Sequence, residues 1–360
     1  MTIKSFFKKA SFFLLTLISF STMADNTPQF KQIVFLGDSL SDDGNLFRHT
    51  NDLIPKFGPY FKGRFSNGHN WADYLSYQLF TQYEIPSQNY AVGGATAVLH
   101  NPFNGYLPVT LSMEYDDYIA WNLLNNKDNT LYIIWIGAND YFPGRKNVDQ
   151  ATTDVVNEIS SVVQELAPNT GSQFLIISLP DLSLVPQARE RNLVANYQAL
   201  ADMNNAKLHA AILQLRAKLP NTKIMEFNFS DDPILKNLIQ DPAYRADFNK
   251  KYNVNITNVT DSCWGGGLTQ KPSIDTIEQT IEKSKTTVNN GTLVNTHAVA
   301  EQIANSPALM ETYLVGQKAA QGDASCQDPD QHIFWDGVHP TRVMHKIIGK
   351  IMLDKILENQ

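Results

Sequence analysis

A serine follows the first predicted buried strand, at a turn that a glycine permits. The segment Gly37-Asp38-Ser39-Leu40 comes directly after the apolar run Gln32 to Leu36. Ligands of parallel α/β sheets bind at the carboxyl ends of the strands, so a hydroxyl there is a candidate nucleophile. Taken alone, the segment is more typical of a turn in which Asp38 or Ser39 caps the next helix. The α/β-hydrolase elbow is disfavoured, because it needs glycine at the position of Ser41.

A histidine with a nearby carboxylate lies close to the end of the chain. Asp336 precedes His339 by three residues, and Pro340 follows. In a turn, Asp336 can accept a hydrogen bond from Nδ1 of His339 and leave Nε2 free to take the proton of a serine. A structural histidine and a metal site are the alternatives, although the other histidines offer no matching metal-ligand cluster.

Two further strand ends place small residues beside polar groups. Gly94 follows the predicted strand Gln88 to Val92, and Asn139 follows the predicted strand Leu131 to Ile136. Acyl transfer develops negative charge on the carbonyl oxygen, and the backbone amides of Ser39 and Gly94 with the side-chain amide of Asn139 are candidate donors to it. Each segment alone fits close helix packing or a loop cap equally well.

Strands and helices alternate along the chain. Buried strands are predicted at Gln32 to Leu36, Gln88 to Val92, Leu131 to Ile136, Phe174 to Leu179 and Lys223 to Phe227. Amphipathic helices are predicted at Trp71 to Leu79, Val155 to Leu166, Leu193 to Leu219 and Val343 to Leu357. This alternation predicts an α/β fold with a parallel sheet covered by helices on both faces. Residues 230–325 interrupt this alternation of strands and helices and are interpreted as an insertion.

The first 24 residues are typical of an export signal. Lys4, Lys8 and Lys9 precede an apolar run from Ala10 to Phe20, and cleavage is expected after Ala24. A transmembrane helix is the alternative, but the apolar run is short for one. We therefore predict one domain over residues 25–360.

Composition excludes several classes of protein. The 360 residues carry a formal net charge of −7, which argues against a nucleic-acid partner. Only Cys263 and Cys326 are present, so a disulfide-stapled small fold and a four-thiolate zinc site are excluded. In an exported chain these two cysteines are expected to form a disulfide. The loop between them is interpreted either as a weakly anchored lid that a protease can nick for activation or as a plain structural staple.

The segments with chemistry together resemble the SGNH hydrolases, also called GDSL esterases and lipases. The resemblance rests on Gly37 to Leu40, Gly94, Gly137 to Asp140, and Asp336 to Pro340. It implies a three-layer α/β/α, flavodoxin-like sandwich with a five-stranded parallel sheet. It also implies chemistry that needs neither a cofactor nor a metal.

The resemblance further implies a role for each site residue. Ser39 would be the nucleophile, His339 the base and acid, and Asp336 the carboxylate that orients the histidine. Gly94 and Asn139, with the amide of Ser39, would form the oxyanion hole.

Three stretches resemble the exported bacterial lipolytic branch of the family: residues 38–45, 63–68 and 89–97. That branch includes phospholipases A, lysophospholipases and glycerophospholipid:cholesterol acyltransferases. Several aromatic residues lie near the serine in the sequence: Phe47, Phe57, Tyr60, Phe61 and Phe65. They are candidates to line an acyl groove. For any single one of them, ordinary core is the favoured interpretation.

The functional prediction is a secreted or periplasmic serine esterase that acts on phospholipid or lysophospholipid esters at a membrane or micelle surface. The acyl group would pass from the enzyme to water or to an alcohol such as a sterol. One alternative is a carbohydrate or small-ester esterase of the same fold, because these motifs specify the chemistry and not the leaving group. Another is a catalytically silent surface or adhesion protein, which would be expected to have lost one of the site residues.

Overall fold

Five short strands form one parallel sheet, and four of them are rich in apolar residues. Their bounds are β1 Gln32–Gly37, β2 Ser87–Asn89, β3 Thr130–Trp135, β4 Gln173–Ile177 and β5 Lys223–Phe227. The computed structural model describes residues 27–56, 58–100, 110–264, 271–285 and 295–359. The spatial order is β2-β1-β3-β4-β5, and every neighbouring pair is parallel. This is the flavodoxin-like order, so the predicted α/β fold is confirmed.

Helices connect the strands, as parallel neighbours require. Up to the end of the sheet they are α1 Asn45–His49, α2 Trp71–Tyr83, α3 Leu111–Trp121, α4 Ala138–Tyr141, α5 Val148–Leu166, α6 Pro186–Glu190 and α7 Val194–Lys218. After β5 they are α8 Ile234–Gln240, α9 Pro242–Tyr252, α10 Ile274–Lys285, α11 Thr296–Asn305, α12 Pro307–Ala320 and α13 Arg342–Leu357. Helix α2 packs on α13, whereas α5 packs on α3 and α7. Among the described helices, none combines the length and apolar character needed to cross a bilayer.

Most predicted strands and helices agree with the structure to within a few residues, but β2 is shorter than predicted. It ends at Asn89, although the amides of Tyr90 and Val92 still donate to Phe35 and Gly37 of β1. The amide of Val92 also lies 3.1 Å from Oε1 of Glu114. The predicted export signal lies outside the described residues.

Residues 230–325 contain helices that the sequence pattern did not indicate. Helices α9 and α12 begin with an Asp or Ser cap followed by proline, namely Asp241-Pro242 and Ser306-Pro307. Their starts are therefore fixed by local capping more than by a broad apolar stripe. Leu309 and Met310 of α12 are fully buried. The interpretation of the loop between Cys263 and Cys326 as weakly anchored is thus wrong for α12.

A small second sheet leads into the Asp336 turn. Strand β6, Asn258–Ser262, pairs in parallel with β7, His332–Phe334. The predicted disulfide between Cys263 and Cys326 is present directly after β6, and the amide of Cys263 donates to the carbonyl of Phe334. The disulfide and the β6–β7 pairing together hold the chain segment that precedes Asp336.

Candidate active site

The structure brings the predicted serine, histidine and aspartate together, although 300 residues separate Ser39 from His339 along the chain. Ser39 follows β1, and its Oγ lies 2.9 Å from Nε2 of His339. Nδ1 of His339 lies 2.9 and 2.8 Å from the two carboxylate oxygens of Asp336. All three side chains are buried. This is the geometry in which an imidazole can take a hydroxyl proton while a carboxylate fixes its orientation.

The carboxylate of Asp336 is held from several directions. Oδ1 accepts hydrogen bonds from the backbone amides of Val338 and His339 at 3.0 and 2.8 Å. The hydroxyl of Tyr60 donates to Oδ2 at 2.6 Å. Burial by itself raises the pKa of Asp336, but His339 and these hydrogen bonds outweigh it and lower the pKa below its usual 3.8. Asp336 is therefore a carboxylate at neutral pH.

The three predicted oxyanion donors lie at the same edge of the sheet. Asn139 lies near the start of α4. Its Nδ2 donates one hydrogen bond to the carbonyl of Ala95 at 2.9 Å, which leaves the second amide hydrogen for another acceptor. Gly94 has φ +80°, and a Cβ there would lie 2.6 Å from Cδ1 of Leu309. Within the described part of the chain, the amides of Ser39 and Gly94 donate to no other group.

Two buried carboxylates hold the turns that carry these donors. Glu114 accepts from the amides of Gly37 and Val92 at 2.8 and 3.1 Å, and so joins the ends of β1 and β2. Asp42 accepts from the amide of Gly93 at 2.7 Å. Burial raises the pKa of Glu114 well above its usual value and raises that of Asp42 to about 6, even though these hydrogen bonds oppose the shift.

A third buried carboxylate, Asp140, holds the segment after Gly94. It accepts from the amides of Ala97 and Val98 at 2.7 and 3.1 Å, and Nε2 of His100 lies 2.8 Å from its Oδ1. Because Asp140 is the chain neighbour of Asn139, these contacts tie the end of β3 to the segment that follows β2.

Helix α12 contacts both halves of the site. Leu309 packs on Gly94, and Oε1 of Glu311 lies 3.3 Å from the amide of Gly337 in the Asp336 turn. Glu311 is buried, and burial together with the nearby charge of Asp336 raises its pKa to about 8. Glu311 is therefore protonated at neutral pH, and the region interpreted as an insertion supplies part of the wall of the site.

The described aromatic residues among those singled out in the sequence do not line the apolar cavity beside Ser39. Tyr60 binds Asp336, and the ring of Phe65 lies 5.2 Å from the ring of His339. Phe47 and Phe61 are partly buried and line no described cavity beside the serine, and Phe57 lies outside the described residues. Core was the favoured interpretation of any one of them, and it holds for Tyr60 and Phe65.

Two cavities lie beside the proposed site residues. One is almost entirely apolar and runs from Ser39 and His339 between the ends of β3 to β5 and helix α13. Its walls include Trp135, Phe229 and Met344. The other cavity is polar and lies beside Gly94 and Asn139, on the oxyanion side of the serine.

Comparison with known proteins agrees with this geometry. The family described as GDSL-like Lipase/Acylhydrolase matches residues 33–352. The chain belongs to this family. The match extends over both halves of the site, from β1 to α13. It establishes the chain as a GDSL-type esterase or lipase, and the silent-scaffold alternative is not supported.

Individual relatives of this GDSL protein carry lipolytic names. It is 30% identical over 340 residues to the phosphatidylcholine-sterol acyltransferase of Aeromonas hydrophila, covering 94% of this chain and 93% of that protein. It is 24% identical to the thermolabile hemolysin of Vibrio parahaemolyticus, covering 91% of this chain and 64% of the hemolysin. Among solved structures, the chain is similar to a carbohydrate acetylesterase from Sinorhizobium meliloti, with 15% identity and a TM-score of 0.36. The alignment covers 54% of this chain and 83% of the acetylesterase.

Replacing Glu311 by glutamine is expected to stabilise the protein at alkaline pH. The folded pKa of about 8 exceeds the reference value of 4.5, so the folded state holds a proton that the unfolded chain releases. The contribution of Glu311 to the free energy of unfolding is complete below pH 4.5 and is lost as pH rises towards 8. The gain for Glu311→Gln should grow over that window to about 5 kcal/mol and then level off.

Thermal unfolding between pH 4 and 9 measures this difference in stability. Glu358→Gln, at an exposed carboxylate just after α13, is the matched control and should show no such growth. A difference between wild type and Glu311→Gln that is constant with pH contradicts the prediction.

Proposed function

We propose that this protein hydrolyses carboxylic esters of phospholipids or lysophospholipids through a covalent acyl-enzyme on Ser39. The observation that carries the proposal is the apolar cavity that begins at Ser39 and continues along α13. A small acetyl or carbohydrate ester has no use for such a cavity, whereas a fatty acyl chain buries its methylene groups there at ~0.8 kcal/mol each.

The geometry supports the following sequence of proton and electron-pair movements. Nε2 of His339 takes the proton of Ser39 as Oγ attacks the ester carbonyl, and Asp336 stabilises the resulting imidazolium. The carbonyl oxygen becomes negative and accepts hydrogen bonds from the amides of Ser39 and Gly94 and from Nδ2 of Asn139. The imidazolium then protonates the departing alcohol, which leaves the acyl group on Ser39. Water, activated by the same histidine, releases the fatty acid.

In the proposed reaction, an alcohol can also replace water in the second step. The relative from Aeromonas hydrophila is named a sterol acyltransferase, which supports a sterol as the acceptor here. The proposed location is secreted or periplasmic, at a lipid surface. The disulfide between Cys263 and Cys326 supports export, because such bonds persist in oxidising compartments. Activation by a protease that cuts between these cysteines stays a prediction.

Product analysis tests the substrate. We expect purified protein to release free fatty acid from both diacyl and monoacyl phospholipids, and to form a sterol ester when cholesterol is present in the vesicles. Mass spectrometry of the lipid extract identifies the products. Hydrolysis confined to acetylated sugars or short esters would instead assign the protein to the small-ester class.

Ser39→Ala is expected to lower ester hydrolysis by about 10³-fold or more and to leave the fold intact. The substitution removes the nucleophile and only one hydroxyl from a buried turn. Initial rates on a soluble ester measure activity, and circular dichroism measures folding. A folded variant with turnover near that of wild type would exclude the serine mechanism.

Tyr60→Phe is expected to lower kcat roughly tenfold while KM stays nearly constant, because one hydrogen bond to a buried carboxylate is lost. The freed charge on Asp336 favours the protonated imidazole, so the acid limb of the kcat/KM profile should move to higher pH. Tyr118→Phe is the matched control, since Tyr118 is buried and its hydroxyl lies 3.0 Å from that of Tyr132. An unchanged pH profile in Tyr60→Phe would contradict this role.

Ile351→Trp is expected to select against long acyl chains. Ile351 lines the apolar cavity seven residues along α13 from Met344, which is about 10 Å further along the helix axis. A larger side chain there shortens the cavity without touching Ser39. Rates on p-nitrophenyl esters of increasing chain length should fall for the long esters only. An equal loss for butyrate and palmitate esters would show that the cavity does not hold the chain.

A further inference from the structure

The polar cavity beside the oxyanion donors is rich in hydrogen-bond donors. It lies against Gly94 and Asn139, and its remaining polar lining includes Arg145, Gln302 and His100, whose Nε2 lies 2.8 Å from the carboxylate of Asp140. None of the described residues that line it is acidic, in a chain with 36 acidic residues and a net charge of −7. A pocket of this kind on an acidic protein favours an anionic ligand.

Arg145 supplies a positive charge at this cavity. Its Nε donates to the carbonyl of Asp140 at 2.7 Å, which fixes the plane of the guanidinium. It forms no ion pair with a carboxylate among the described residues, and a guanidinium whose Nε is already placed can present its remaining N–H groups to an oxyanion.

Gln302 adds an independent observation. Its side chain belongs to a residue that is 6% exposed, it lines the cavity, and its Nε2 has no hydrogen-bond partner in the described structure. A buried N–H group without an acceptor is unfavourable, and a ligand oxygen that reaches this amide would satisfy it.

The amino end of α12 also favours an anionic ligand in this cavity. Ser306 caps this 14-residue helix and lines the cavity, and its Oγ accepts from the amide of Leu309 at 3.3 Å. The amino end of a helix carries partial positive charge, which adds to that of Arg145.

We propose that this cavity binds the phosphate of the substrate's head group, with Arg145 and Gln302 as its main donors. The inference rests on the proposed ester hydrolysis at Ser39 and names the part of the substrate that lies opposite the acyl chain. An ester whose carbonyl oxygen sits between Gly94 and Asn139 has one substituent on each side. The apolar cavity receives the acyl chain, and the polar cavity receives the phosphoglycerol.

Matched substrates isolate the phosphate. Lysophosphatidylcholine and monoacylglycerol with the same acyl chain share the scissile ester and differ in the head group. Arg145→Gln should lower kcat/KM on lysophosphatidylcholine about tenfold to a hundredfold and change that on monoacylglycerol less than about twofold. Arg145→Lys should lose part of this selectivity. Gln302→Glu, which places a negative charge in the cavity, should act in the same direction as Arg145→Gln.

Arg216→Gln is the matched control. Arg216 also donates through Nε to a backbone carbonyl, that of Ile224 at 2.9 Å, but at the amino end of β5 and away from Ser39. It should leave the ratio of the two substrates unchanged. Equal losses on both substrates in Arg145→Gln, or no loss on either, would overturn the proposal.

A competition experiment separates this proposal from the proposed function. Glycerophosphocholine and inorganic phosphate are tested as inhibitors of p-nitrophenyl butyrate hydrolysis, which needs no phospholipid activity. Inhibition of wild type by both, lost in Arg145→Gln, supports the phosphate site even if wild type fails to cleave phospholipids. Inhibition by inorganic phosphate alone would overturn the head-group assignment, and inhibition by neither would overturn the site.

Discussion

Burial of the turns at the carboxyl edge of the sheet is the constraint on which the site depends. Backbone amides there leave the strand ladder, and each buried amide needs an acceptor or costs free energy. Glu114, Asp42 and Asp140 are the acceptors, and among them they bind amides of the segments after β1 and β2. The amides of Ser39 and Gly94 are exceptions in the described structure, which leaves them available to a developing oxyanion.

The same constraint explains why a region outside the sheet belongs to the site. Helix α12 covers Gly94 with Leu309 and supports the Asp336 turn with Glu311. Burial under this helix lowers the local dielectric, which strengthens every hydrogen bond to the Asp336 carboxylate and raises the pKa of Glu311 to about 8. One of the two adjacent carboxyl groups is thereby neutral, so the turn carries a single negative charge that faces His339.

The sequence predicted the parts of the site that are local. Strand ends, the Ser39 turn and the Asp336 to His339 spacing are short patterns, and the sheet order brings them to one edge. The supporting residues were missed because their contacts are long-range. Tyr60 lies 276 positions from Asp336. Glu114 lies on α3, which has no distinctive motif, and it binds backbone amides in two separate turns. The α12 contacts were missed for a further reason, since capping and proline, more than periodicity, define that helix.

The polarity of the two cavities follows from which elements meet at each side of Ser39. Strands β3 to β5 and α13 present large apolar side chains, because their shared face is also the protein's core. On the other side, Gly94, Asn139 and the amino end of α12 present amides and caps, which are the polar ends of elements rather than their apolar faces. An amphiphilic ester fits this division in only one orientation, with its carbonyl at the boundary. Under the proposed function, the fold that positions the serine therefore also sets the direction in which the lipid ester binds.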